Sequence, residues 1–353
     1  MKLVFAFLAV FSLSISLAVA DDNAGGPYKV IKTAKVGGDG SWDYLFVDAD
    51  NRRLYVSRSD HFDVFDADSL EKVGTIDGTK NCHGVAIDAA SGHGFTSNGN
   101  RKEPSVTMFD IKTLKPIKTI SVTGRPDGIF YEPTTKRIWV ESHDDPNETV
   151  INPEDGSVVG TIDLGGEPEQ GAGDGNGHVY VNLESTSEVV VVDPTAMKVT
   201  ARYKLGDGDG PSGIGLDAKN RRIFSDCGNA KMVVLDADSG NILATLPTGN
   251  RTDAGTFNPD TMEAFSSNGD GTLTVVKENS PTNFTVEQNV QTKIGARTCA
   301  LDSKTGNIYL VTADFEAPAT APADAPAGEN GRPRRQRPRP IPGSFTILVV
   351  GKQ

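Results

Sequence analysis

Seven polar side chains recur along this chain at intervals of 40 to 44 residues: Asp43, His83, Asp127, Glu169, Ser212, Asp253 and Arg297. Together they supply four carboxylates, one imidazole, one hydroxyl and one guanidinium. If they converge, the carboxylates repel and their pKa values rise unless cations or hydrogen bonds offset the repulsion. Arg297 follows Asp253 in the series and, if the series closes on itself, precedes Asp43, so it can pair with both. Asp127 and Glu169 are neighbours with no cation of their own in the series. A hard divalent cation such as Ca²⁺ would suit their oxygens, whereas His83 would favour a transition metal. The expected metal ligands are therefore Asp127, Glu169 and His83. A solvated polar surface is the competing outcome.

A second set, offset along the same intervals, holds Asp60, Asn98, Glu141, His143, Glu184, Asp226, Asn268 and Asp314. By chemistry Glu141 and His143 are the best acid–base pair among them. The other outcome there is a pair of solvated loops.

The recurrence follows from a repeated unit. Seven segments place a turn-forming residue seven positions before an aromatic one: Asp48 and Tyr55, Asp88 and Phe95, Glu132 and Trp139, Gly173 and Tyr180, Asp217 and Phe224, Asn258 and Phe265, Asp302 and Tyr309. The fourth copy is one residue tighter if aligned on Asp174. After each of the first six comes an apolar strand, a polar turn and another strand, as in DVFDADSLEKVGTI and MVVLDADSGNILATL. Asp, Asn, Pro and Gly at the turns fit hairpins and the β-branched flanks fit strands. Each unit is then four short antiparallel strands, and the chain is all-β, a seven-bladed β-propeller. The seventh copy lacks its outer strand. Residues 28–36 can supply it, closing the ring and removing a sheet edge. In a propeller the inner strands start at a central channel on one face. Counting five residues back from each turn residue reaches the seven polar side chains above, with Glu169 in the tighter fourth unit. They form the wall of a funnel, and the second set forms its rim.

The units resemble the YVTN-repeat (YncE-like) β-propeller family of exported bacterial proteins. The tetrapeptide that gives the repeat its name stands here as Tyr55-Val56-Ser57-Arg58 and Tyr180-Val181-Asn182-Leu183, with degenerate copies at Phe95-Thr96-Ser97-Asn98 and Phe265-Ser266-Ser267-Asn268. The resemblance covers all seven units and implies the fold. Similar propellers serve as binding scaffolds, lactonases, lyases and cofactor-holding domains, so it implies no single activity.

Composition narrows the classes further. The 353 residues carry 35 Lys and Arg against 47 Asp and Glu, a net charge of −12, which argues against nucleic-acid or anionic-membrane binding. Three cysteines with no CxxC spacing argue against a disulfide framework or a zinc knuckle. Residues 1–20 read as a signal peptide: Lys2, an apolar run, and Ala18-Val19-Ala20 before Asp21-Asp22. The mature chain, residues 21–353, is expected to be periplasmic or secreted, monomeric and without a membrane span. Residues 316–343, rich in Ala and Pro and then Arg, cannot bury a core and read as a disordered insertion in the seventh unit.

Two functions fit this reading. One is a non-enzymatic scaffold that presents the acidic funnel to a small ligand or protein partner. The other is a metal-dependent enzyme of lactonase or lyase type using the same funnel, which would require a held cation with open coordination positions.

Overall fold

A computed structural model describes residues 26–316 and 339–353. The expected signal peptide and most of the expected insertion lie outside the described residues.

Seven four-stranded antiparallel sheets form the seven blades. The turn residues found in the sequence build them. Each accepts a backbone N–H from its own turn through a side-chain oxygen, from Asn51 at Asp48 (3.0 Å), Ser91 at Asp88 (3.1 Å), Thr134 at Glu132 (2.7 Å) and Lys219 at Asp217 (2.9 Å). Asn258 and Asp302 do the same for Asp260 (3.0 Å) and Lys304 (3.1 Å). In the fourth blade Asp174 holds the turn, taking the Asn176 N–H at 2.8 Å, so the tighter alignment is the real one. Such side-chain bonds lock the hairpin between the inner and second strands. The aromatics that follow, Tyr55, Phe95, Trp139, Tyr180, Phe224, Phe265 and Tyr309, are all buried. They pack in the seams between blades, as in the apolar cluster of Phe95 with Ile138, Val140 and Ile151.

The ring closes as the short seventh unit requires. Its sheet runs in the order Cys299–Leu301, Ile308–Thr312, Thr346–Lys352, Tyr28–Lys35, so the first described strand is the outermost of the last blade. Tyr28 pairs with Lys352 and Lys35 with Thr346, with one irregularity between Val30 and Lys32. Tyr28 also anchors the strand sideways: it is buried, meets Phe265 edge-on at 5.4 Å between centroids, and donates its hydroxyl to Glu263 of blade 6.

Residues 313–316 and 339–345 connect the second and third strands of blade 7, where the expected insertion falls. Here Glu316 N–H donates to Arg339 O at 2.9 Å and Ile341 N–H to Asp314 O at 2.7 Å. Among the described residues no helix is long and apolar enough to cross a membrane.

Candidate functional site

The blades bring the expected funnel residues together on one face of the channel. Asp43 and Arg297 lie just before the inner strands of blades 1 and 7, and the other five lie within theirs. A chain of ion pairs crosses five blades, from blade 6 round to blade 3. Arg297 binds Asp253 and reaches Asp43 at 3.3 Å. His83 Nδ1 stands 2.5 Å from Asp43 and 3.2 Å from Asp127, and Arg125 lies 3.5 Å from Asp127. Asn81 Nδ2, fixed by a 2.9 Å bond to Gly99 O, faces His83 Nε2 at 3.0 Å. An amide donor on Nε2 leaves the imidazole proton on Nδ1, between the two carboxylates.

Burial works to raise the Asp43 carboxyl, but the His83 hydrogen bond and the Arg297 charge outweigh it, and its pKa falls below the ordinary range. Burial likewise works against a charged His83, yet the bond to Asp43 and the Asp127 charge raise its pKa. At Asp127 burial prevails over the neighbouring charges and the carboxyl is pushed up.

Glu169 belongs to a second group. His143 Nδ1 stands 2.9 Å from Glu169 Oε1, and the Tyr44 hydroxyl donates to Glu169 Oε2 at 3.2 Å. Glu169 is pushed up to about 7, first by burial, while its carboxylate raises His143 to about 9. The expectation that Asp127 and Glu169 have no cation of their own looked only within the series; loop residues outside it correct the picture, with Arg125 beside Asp127 and His143 beside Glu169. The expected trio of Asp127, Glu169 and His83 does not form one compact ligand set either. Among the described residues the potential ligand atoms gather as Asp43–His83–Asp127 and as His143–Glu169–Glu184, each set within 4.8 Å. The blade boundary divides them, because His83 turns toward blade 1 and Glu169 toward blade 3. Ser212 lies outside the ion chain. It is buried and donates to Thr252 O of the next blade at 3.1 Å.

The rim divides in two. His143, Glu184, Asp314 and Asp60 lie beyond the second strands as expected, with Glu184, Asp314 and Asp60 exposed. Asp314 pairs with Lys293 at 2.9 Å and Asp60 with His61 at 2.7 Å. Asn98, Glu141, Asp226 and Asn268 are instead buried inside the second strands, so their assignment to the rim is wrong. Two residues after the seam aromatic, the side chain points into the next blade. At that register Ser97 donates to Asp127 O, Asn182 to Gly213 O (2.7 Å) and Ser267 to Arg297 O (2.6 Å). Glu141 and Asp226 occupy the same register in blades 3 and 5. The Glu141 carboxyl fills space that a side chain at Gly128 or Gly171 would need, and Asp226 does so at Gly213 and Gly255. Asn98 and Asn268 bond within their own blades, to Thr107 (2.9 Å) and Thr274 (3.1 Å). Burial pushes both Glu141 and Asp226 well above the carboxylate range, with Glu148, the cross-strand neighbour of Glu141, adding repulsion.

Two channel residues are missing from the sequence reading: Tyr44 and Gln170. Tyr44 reaches from blade 1 to Glu169 of blade 4. Gln170 of blade 4 accepts from Ile214 N–H and Gly255 N–H, both at 3.1 Å, and donates to Gly255 O at 3.2 Å. Tyr44 thus links blade 1 to blade 4 across the channel, and Gln170 links blade 4 to blades 5 and 6. The signal was present one residue after each ring position, where the chain reads Tyr44, Gly84, Gly128, Gln170, Gly213, Ala254 and Thr298. Only two of these seven side chains are long enough to span the channel.

The cysteines are not site residues in this geometry. Cys82, Cys227 and Cys299 are free and buried, and burial raises their thiols to about 11, 12 and 12. Such thiols are poor nucleophiles and poor metal ligands. A separate cleft of about 330 Å³ lies at the closure seam, lined by Arg58, Asp63, Phe65 and Lys72, away from the channel.

No protein-family model and no curated protein matches the chain. Many solved structures are similar to it, among them one described as the structure of U3-55K and one as the crystal structure of RRP9 WD40 repeats. These two each superpose with a TM-score of 0.73 at 11% sequence identity, over 92% of this chain and 99% of the other. At that identity the likeness shows the propeller fold alone.

Proposed function

We propose that this protein is an exported scaffold of the YVTN-repeat, YncE-like kind, which binds a cationic partner segment at the mouth of its funnel. The observation that carries this reading is the charge of the mouth loops in the sector of blades 3 to 5. The loops 164–167, 184–187 and 205–210 carry Glu167, Glu184, Asp207 and Asp209, all exposed, and no basic residue. Beside them His143 is followed by Asp144 and Asp145. The ring charges deeper in the funnel are largely matched to one another, so they hold the wall in place. Asp144 is held by Arg101 at 2.9 Å and Asp207 stands 4.0 Å from Lys231, whereas Glu167, Glu184, Asp209 and Asp145 form no ion pair with Lys or Arg among the described residues and remain free to attract positive charge.

Export rests on residues 1–20 and would place the protein in the periplasm or outside the cell. The resemblance rests on the tetrapeptides at Tyr55 and Tyr180. The metal-dependent lactonase or lyase reading finds its support in the His143–Glu169–Glu184 group.

Fluorescence anisotropy with a labelled lysine-rich dodecapeptide tests the scaffold reading. Saturable binding that weakens as salt rises, and no binding of the matching glutamate-rich peptide, is the expected result. Equal affinity for both peptides would overturn it.

A further inference from the structure

We infer that His143, Glu169 and Glu184 form a binding site for one divalent first-row transition ion, of which Zn²⁺ is the best fit. The site lies at the funnel mouth, between blades 3 and 4. His143 follows the second strand of blade 3 (Arg137–Ser142), Glu169 lies in the inner strand of blade 4 (Pro168–Gly173), and Glu184 follows the second strand of blade 4 (Val179–Leu183). Three separate strand ends thus deliver one nitrogen and two carboxylate oxygens to one place, within 4.8 Å of one another.

The geometry of the closest pair points to a shared ion. His143 Nδ1 is 2.9 Å from Glu169 Oε1, yet this buried nitrogen has no aligned hydrogen-bond partner among the described residues. Two ligands on one ion, each at about 2.0–2.2 Å and subtending 90–109°, stand roughly 2.8–3.6 Å apart. The pair is already spaced as two corners of a coordination sphere. Glu184, exposed at the start of the short 3-10 turn Glu184–Thr186, has only to swing inward to complete three. The Tyr44 hydroxyl holds the other oxygen of Glu169, the kind of outer bond that orients a ligating carboxylate.

A second, independent observation concerns Glu141. It is 1% exposed, its Oε1 has no partner among the described residues, and its carboxyl lies in the seam between blades 3 and 4 against Gly128 and Gly171, the latter two residues from Glu169. A buried oxygen left without a donor in the same seam as Glu169 is costly. The mixed nitrogen and oxygen set selects against Ca²⁺ and Mg²⁺, which take oxygens. Three protein ligands leave at least one position open to water or to a partner's side chain. The Asp43–His83–Asp127 group is the weaker candidate, because Arg297 and Arg125 already supply positive charge there.

This inference goes beyond the scaffold reading and does not rest on it. Its test uses tag-free mature protein stripped with chelator and dialysed, then titrated with Co²⁺ while the visible ligand-field bands are recorded, with Zn²⁺ added to compete. The expected result is one equivalent of Co²⁺ per chain, displaced by Zn²⁺ and not by Ca²⁺. His143→Gln and Glu184→Gln should each weaken binding at least tenfold while melting near the parent temperature. Asp314→Asn, another exposed acid on the same face, should bind as the parent does. No binding by the parent protein, or unchanged binding in both variants, overturns the site. Loss of the ion in His83→Gln with retention in His143→Gln moves it to the other group and overturns it equally. Peptide binding is measured separately, so failure here leaves the scaffold reading standing, and the reverse also holds.

Discussion

The Tyr44 hydroxyl of blade 1 donates to the Glu169 carboxylate of blade 4 at 3.2 Å, a contact across the channel between residues 125 apart in sequence. It ties blade 1 to blade 4 across the channel. Burial raises the phenol well above its ordinary pKa, and the charge of Glu169 adds to the rise, so the hydroxyl keeps its proton and acts as a donor. Tyr44→Phe should cost about 1 kcal/mol, the usual net worth of one such bond. A double-mutant cycle with Glu169→Gln should give a coupling energy of about 0.5 kcal/mol or more in denaturant unfolding. Strict additivity would show that the two groups do not meet.

Closure depends on Tyr28 more than on its strand's other side chains. Tyr28 is fully buried, while Lys29 and Ile31 are exposed. Tyr28→Ala should destabilise by about 3–5 kcal/mol, as for other buried aromatics, through the cavity and the lost bond to Glu263. Lys29→Ala should change stability by less than about 0.5 kcal/mol. Equal melting of the two variants would contradict the closing strand.

Asp226 sets an alkaline limit on stability. Burial raises its pKa, and neither oxygen has a hydrogen-bond partner among the described residues. A carboxyl raised on folding contributes stability that is complete below its unfolded value of about 3.9 and is lost as pH rises through the folded value. Asp226→Asn keeps the shape of the neutral acid, and blade 4 already accepts an amide at this register in Asn182. The variant should therefore gain on the parent in melting temperature as pH rises from 5 to 9. A gap that stays constant across that range would show that Asp226 does not titrate there.

Arg297 is the cation that links Asp253 of blade 6 to Asp43 of blade 1 in the ion chain. Arg297→Gln leaves Asp253 and Asp43 facing each other without it, at a cost of about 1 kcal/mol, since the guanidinium is partly exposed. The loss should shrink in high salt, which screens the carboxylate repulsion left behind. A loss independent of salt would point to packing instead.

The fold was legible because its signals are local and repeated. Asp48, Asp88 and their five counterparts hold turns through their own side chains, and the aromatic after each turn fills a seam, so periodicity carried both. The missing outer strand was legible from the count alone. The funnel wall followed from register, and the position of Arg297 between Asp253 and Asp43 followed with it. What register could not give is direction. Glu141 and Asp226 differ from true rim residues only by turning into the next blade, two residues after Trp139 and Phe224. The ion partners of Asp127 and Glu169 come from loops, Arg125 and His143, whose reach depends on three-dimensional path. Tyr44 and Gln170 were visible as bulky residues in a small-residue register, but only once the channel they cross was known.

The central claim, that the acidic mouth is a specific site, is tested most directly by placing equal charge changes at different points. Affinity for the labelled lysine-rich dodecapeptide is measured in Glu167→Gln/Asp209→Asn and in Asp50→Asn/Asp68→Asn, whose acids are exposed at turns on the opposite face. Both variants lose two negative charges, so the net field changes equally. The mouth variant should bind at least tenfold more weakly than the parent, and the opposite-face variant within about twofold, reflecting only the long-range field. Equal weakening in the two would mean that the peptide responds to the overall charge of −12 and not to the funnel.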